Sequence, residues 1–129
     1  MRVVSMGVLA LLASAGVAAA EFRIAFDWGD IPLCTNGRPN KVGSPQFALA
    51  EVPPGTTRID FKLKDLNAPR YNHGGGKVTW TGGNSIPFGA FSYKSPCPPG
   101  EVHTYEWTAT ARKGNKKLAT AKARRQYPE

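Results

Sequence analysis

Alternation of apolar and polar residues, interrupted by connections dense in glycine and proline, is the feature that most constrains this 129-residue chain. Residues 22–28 (FRIAFDW), 58–65 (RIDFKLKD) and 103–111 (HTYEWTATA) each alternate with a period of two. Successive side chains of a strand point to opposite faces of its sheet, so this period indicates half-buried strands. Turn-forming residues fill the connections, including 37–45 (GRPNKVGSP) and 81–89 (TGGNSIPFG). Short strands with such connections predict a mainly β sandwich or barrel.

The C-terminal segment is the candidate for a helix. Residues 111–129 (ARKGNKKLATAKARRQYPE) are rich in alanine, which predicts a short C-terminal helix that begins after Gly114 and Asn115 and stops before Pro128. The segment also concentrates basic residues, which form either a solvated face or an anion-binding tail.

The N-terminus has the layout of a secretory signal peptide. Arg2 precedes an apolar run at 3–17 and three small residues, 18–20 (AAA), which predicts cleavage after Ala20. A membrane anchor is the alternative, but a spanning helix needs roughly 20 apolar residues. The sequence therefore predicts an exported protein, periplasmic or secreted, with a single domain at 21–129.

The exported part is basic. The whole chain has 17 Lys and Arg against nine Asp and Glu, and the predicted signal peptide removes only Arg2 from this balance. A positive field favours anionic partners, such as phosphate groups, acidic polysaccharide or an anionic membrane surface. Nucleic acid is disfavoured as a partner, because export separates the chain from it and the basic tail lacks interleaved aromatic residues before Tyr127.

Both cysteines, Cys34 and Cys97, lie in the predicted exported part. An oxidising compartment makes a disulfide the expected state of such a pair. A metal site is disfavoured, because neither cysteine has a Cys or His neighbour at ligand spacing. We expect no metal and no cofactor.

Residues 73–76 (HGGG) match the loop that forms part of the oxyanion hole in lipases and esterases. An α/β-hydrolase also needs a Gly-x-Ser-x-Gly elbow, and neither Ser44 (VGSPQ) nor Ser85 (GNSIP) lies in one. This excludes an esterase of that class. Three glycines still indicate a backbone that passes close to another strand or to a ligand.

A proline-rich loop, 95–100 (SPCPPG), precedes the strand on which His103 and Tyr105 share a face with the apolar residues. These two residues are either satisfied polar residues of the core or the wall of a pocket at the end of the sheet. The residues alone leave both interpretations open.

Five motifs occur in order between Ser44 and Ala111: SPQF, VPPGTT, DLNAP, SPCPPG and HTYEW. Together they resemble the phosphatidylethanolamine-binding protein (PEBP) family. Bacterial members of this family are often described as Raf-kinase-inhibitor-like. The resemblance implies an antiparallel β-sandwich with a small pocket for phosphate-like anions. By position it implies a ligand-binding set of six residues, namely Asp65, His73, Pro98, Pro99, His103 and Tyr105. The chain departs from the family pattern at Leu66, Asn67, Gly74 and Ser95.

The chemistry of these residue types suits such a pocket. His73 and His103 can donate N–H groups to phosphate oxygens, and Asp65 can orient a histidine and favour its protonated form. Pro98 and Pro99 can hold the loop rigid at low entropic cost. A Cys34–Cys97 disulfide would tie this loop to the segment that precedes Ser44.

We therefore expect an exported, non-enzymatic binding protein for phosphate-like anions or phospholipid head groups. One alternative is a protein-directed inhibitor of an extracytoplasmic hydrolase. Another is an enzyme in which Asp65 and His103 form an acid–base pair, although the sequence offers no convincing nucleophile beside them.

Overall fold

The computed structural model describes residues 20–129, which are built from strands and loops. In chain order the strands are β1 (Arg23–Asp27), β2 (Lys41–Gly43), β3 (Gln46–Ala50), β4 (Arg58–Asp65), β5 (Gly75–Thr79), β6 (Ser85–Ile86), β7 (Ser92–Lys94), β8 (His103–Lys113) and β9 (Lys116–Tyr127). The predicted signal peptide lies outside the described residues except for Ala20. Over residues 20–129, no helix is long and apolar enough to span a membrane.

The strands form a four-stranded sheet in the order β5-β4-β8-β9, a three-stranded sheet in the order β1-β3-β6, and a β2-β7 pair. Neighbouring strands are antiparallel in all of them. This confirms the predicted mainly β, antiparallel architecture.

The core lies between the four-stranded and the three-stranded sheets. The ring of Phe47, on β3, stacks on Phe61 of β4 with centroids 4.3 Å apart and meets Trp107 of β8 edge-on at 5.4 Å. All three side chains are buried, as the period-two alternation predicts. Apolar side chains on facing sides of the two sheets therefore form one hydrophobic core.

The predicted C-terminal helix is wrong, because its residues form β9. This strand pairs with β8 along its length, and Gly114 adopts a φ of 58° in the turn between them. Ala121 is buried opposite Ala109, while Lys122 on the alternate side is exposed. Pairing with the eleven-residue β8 outweighs the helix propensity of alanine, a preference of only tenths of a kcal/mol per residue.

The glycine segment packs against another strand. Gly74 has a φ of 78°, a conformation that favours glycine. A Cβ on Gly75 would lie 1.8 Å from the carbonyl oxygen of Phe61, and one on Gly76 would lie 2.4 Å from the ring of Phe91. The sequence allows a close approach of this backbone to another strand or to a ligand. The structure shows the approach to a strand, at Phe61, and to the ring of Phe91.

Candidate functional site

The end of β4 and the start of β8 bring the candidate residues together. Asp65 is the last residue of β4 and pairs in register with Tyr105 of β8, two residues after His103. His73 lies just before β5, and its ring meets that of Tyr105 edge-on with centroids 5.5 Å apart. Four of the six predicted residues therefore form one cluster.

Both oxygens of the Asp65 carboxylate accept hydrogen bonds. Its Oδ1 accepts from the backbone N–H groups of Asn67 at 2.8 Å and Ala68 at 3.1 Å, which closes the turn after β4. Its Oδ2 accepts from Nδ1 of His103 at 2.6 Å. The side-chain oxygen of Asn67, where the family pattern has a second aspartate, accepts from the N–H of Thr104 at 2.8 Å. Asn67 thus fixes the turn to β8.

His103 lies between two carboxylates. Its Nε2 contacts Oε1 of Glu101 at 2.7 Å, on the other side of the ring from Asp65. Burial lowers the pKa of His103, but the hydrogen bonds and charges of Asp65 and Glu101 outweigh it and raise this pKa above its ordinary value. Only an imidazolium can donate from both nitrogens, so the geometry favours the protonated form.

Sequence reasoning missed Glu101. The alternation of β8 gives no signal for it, because Glu101 lies at a bend before the strand, where the period of two does not apply. The side chain of Glu101 is 60% exposed, whereas that of His103 is 9% exposed. The outer nitrogen of His103 therefore meets a carboxylate at the protein surface.

The surroundings of His73 shift its pKa in the opposite direction. Its Nδ1 lies 2.8 Å from the carbonyl oxygen of Lys94, an acceptor, so this nitrogen carries the proton and donates it. Burial lowers the pKa of His73 below its ordinary value, and the Lys94 carbonyl and the Asp65 charge only partly oppose this. Burial therefore favours the neutral imidazole of His73, whose Nε2 is then an acceptor.

Tyr105 contributes a neutral phenol. Burial raises its pKa above the ordinary value, and the nearby charge of Asp65 raises it further. Tyr105 therefore keeps its O–H proton at any physiological pH. Its ring is buried between Trp28, at 5.6 Å, and His73.

The proline-rich loop is held to the segment around residues 34–40. The Cys34–Cys97 disulfide joins the two, as predicted. The N–H of Gly100 donates to the carbonyl of Thr35 at 3.0 Å, and the hydroxyl of Ser95 accepts from the N–H of Asn40 at 3.0 Å. These contacts fix the loop on both sides of the disulfide.

The two loop prolines differ in exposure: Pro98 is fully buried, whereas Pro99 is exposed. Asp65, His73, His103 and Tyr105 are all buried. The cluster is therefore enclosed, with Glu101 over its outermost nitrogen.

No group of three or more potential ligands among His, Cys, Asp and Glu could hold a metal ion within residues 20–129.

The overall fold is similar to that of a phosphatidylethanolamine-binding protein homologue from Chlamydia trachomatis D/UW-3/CX. The TM-score is 0.54 at 14% sequence identity, and the match covers 86% of this chain and 99% of the other. No protein-family model and no curated protein sequence matches this chain. The structural similarity shows a mainly β, PEBP-like fold.

Proposed function

We propose that this chain is an exported, non-enzymatic binding protein that takes a small phosphate-like anion or a phospholipid head group at His103. One contact carries the proposal: the carboxylate of Glu101 already lies 2.7 Å from Nε2 of His103. A carboxylate oxygen in this position makes the charge-assisted hydrogen bond that an oxygen of a bound anion would make.

An anion can reach this nitrogen if Glu101 moves. The Glu101 side chain is largely exposed and lies in a loop next to Gly100, whose φ is 66°. Rotation of the side chain into water would uncover Nε2 of His103 without moving a strand. Because Glu101 competes for the same donor, it weakens the binding of any anion that replaces it.

Asp65 supports binding from behind the ring. Its hydrogen bond to Nδ1 orients His103 and favours the imidazolium, so Nε2 keeps a proton to donate. The neutral His73 offers an acceptor rather than a second donor. This combination suits a singly protonated phosphate, which carries both acceptor oxygens and one O–H donor.

Binding without turnover is proposed because the candidate nucleophiles near the cluster are engaged. Cys97 is in the disulfide, and the hydroxyl of Ser95 is buried and accepts from Asn40. A disulfide has no thiolate to attack a substrate. The disulfide also supports an exported location, where such bonds persist.

Calorimetric titration of the purified protein with inorganic phosphate and with glycerophosphoethanolamine tests the proposal. We expect wild type to bind at least one of them and His103→Ala to bind neither, with unchanged far-UV circular dichroism. Lys113→Gln is the control, because it removes an exposed positive charge at the far end of β8. Equal binding by wild type and His103→Ala would contradict the proposed site.

A protein-directed inhibitor of an extracytoplasmic hydrolase is the second candidate. Two exposed apolar side chains favour it: Leu33, 76% exposed beside Cys34, and Val102, 54% exposed beside His103. The hydrogen bond from Gly100 to Thr35 connects their segments. Inhibition lost in Leu33→Asp or Val102→Asp but retained in His103→Ala would favour this candidate.

A further inference from the structure

The outer face of the four-stranded sheet, which points away from the core, carries a second candidate site. A groove of about 980 Å³ runs over β4, β5 and β8 and is walled by the loop between β4 and β5. Its charged lining residues are Asp60, Lys62, Lys64, Arg70, Lys77, Glu106, Arg112 and Lys122. This groove contains none of the residues of the cluster at His103.

The two acids of the groove are already neutralised. Asp60 accepts from Arg58 at 2.7 Å and from Arg112 at 2.9 Å. Burial raises the pKa of Asp60, but the two guanidinium groups outweigh it and hold this pKa below its ordinary value. Glu106 accepts from Arg124 at 2.9 Å, and Lys122 lies 3.8 Å away.

Four further cations have no such partner. Lys62, Lys64, Arg70 and Lys77 form no ion pair within 4.0 Å among the charged groups of residues 20–129. Like charges that converge on one groove repel one another, and an anionic ligand would relieve this repulsion. The groove therefore has an unbalanced positive charge.

Edge protection does not explain the lysines of β4. Lysine on an edge strand prevents pairing with another chain, and Lys77 lies on such a strand, β5. Lys62 and Lys64 lie on β4, which is paired on both sides by β5 and β8. Lys62 and Lys64 therefore do not protect an edge of the sheet.

The floor of the groove includes backbone and hydroxyl groups beside its apolar atoms. Gly75 lies opposite Lys62 and presents no side chain, so the backbone is accessible between the lysines. On β8, Thr108 lies opposite Lys62, and both Thr108 and Thr110 add hydroxyl groups to the groove. Cations flanking hydroxyl donors and acceptors suit a ligand that carries both negative charges and hydroxyl groups.

We propose that this groove binds a linear anionic polysaccharide. A flat bilayer would reach the rim of a concave groove but not its floor. Single-stranded nucleic acid would need aromatic platforms for its bases, and the aromatic rings in the lining are Phe61, which is buried, and Tyr71, which has Lys94 over its ring at 5.8 Å. Charge complementarity and hydroxyl groups favour the polysaccharide.

The test uses a size-defined oligogalacturonate as the probe and the whole exported protein. The groove variant is Lys62→Gln/Lys64→Gln/Lys77→Gln. The matched control is Lys41→Gln/Lys113→Gln/Lys116→Gln, which removes three exposed strand lysines outside the groove and changes net charge equally. Calorimetry at several salt concentrations measures affinity, and thermal unfolding verifies that both variants fold.

We expect the groove variant to lose about tenfold or more in affinity, since it loses three charge contacts to the ligand. Its affinity should also depend less on salt, and the control should stay within about twofold of wild type. Equal losses in both variants would overturn the proposal, because net charge alone would then explain binding. The absence of binding by wild type, or tighter binding to single-stranded DNA or anionic vesicles, would overturn it as well.

Discussion

Both histidines of the chain lie in the candidate site, and their surroundings shift their pKa values in opposite directions. His103 donates to two carboxylates and is favoured as an imidazolium. His73 is buried, donates to a backbone carbonyl and is favoured as a neutral imidazole. Two identical side chains are thus favoured in different protonation states within one cluster.

The raised pKa of His103 makes the stability of the fold depend on pH. Its pKa in the folded state lies above the unfolded value of 6.5. Its ion pairs therefore contribute stability that is fully present below pH 6.5 and is lost as pH rises through the folded pKa. His73 has the opposite sign, because its lowered pKa costs stability as pH falls below 6.5.

Urea unfolding can separate the effect of His103 from that of His73. We compare wild type with His103→Gln at about pH 5.5 and about pH 8.5, and His73 is present in both proteins. We expect the stability difference between the two proteins to be larger at the lower pH. A difference that does not change with pH would contradict the ion pairs of His103.

Among the secondary-structure elements, pairing between strands decides which structure a segment adopts where local propensity does not. The alternations at 22–28, 58–65 and 103–111 predict strands correctly, since a buried sheet face imposes the period of two on the sequence. Residues 116–127 form a strand because they pair with β8, and the helix propensity of single residues takes no account of such a partner.

The polar cluster at Asp65 and His103 was predictable by resemblance. The contact of Glu101 was not, because it depends on the conformation of one exposed loop.

Thr120→Ala distinguishes a strand from a helix at β9. Thr120 is exposed and lies directly opposite Thr110 of β8. Because the substitution removes a cross-strand pair, we expect it to lower the free energy of unfolding by about 0.5 kcal/mol. Alanine would stabilise a helix instead. Denaturant unfolding measures the change, and a gain in stability would be inconsistent with β9.

In the molecule as a whole, the disulfide connects the segment after β1 to the proline-rich loop beside the candidate site. Cys34 and Cys97 are 63 residues apart, and the N–H of Cys34 also donates to the hydroxyl of Tyr127 at 3.0 Å. Tyr127 in turn pairs with His103 across β8 and β9. The loop, the disulfide and the last strand therefore support one another around the cluster.

Cys34→Ser/Cys97→Ser tests this arrangement. We expect the free energy of unfolding to fall by about 2–4 kcal/mol, the usual contribution of a disulfide that closes a long loop. Hydrogen exchange should accelerate at Gly100 and Ser95, whose backbone N–H groups donate to Thr35 and Asn40. Unchanged exchange at both would show that the loop is held without the disulfide.

The most direct test of the proposed function follows the ring nitrogens of His103 by NMR while inorganic phosphate is added to wild type and to Glu101→Gln. Free Glu101→Gln should show a lower pKa for His103, because one carboxylate is removed, and it should bind phosphate more tightly because its competitor is gone. In both proteins the Nε2 signal of His103 should move in a saturable way. If phosphate leaves that signal unchanged in both proteins, the cluster at His103 is a structural ion pair and not a binding site.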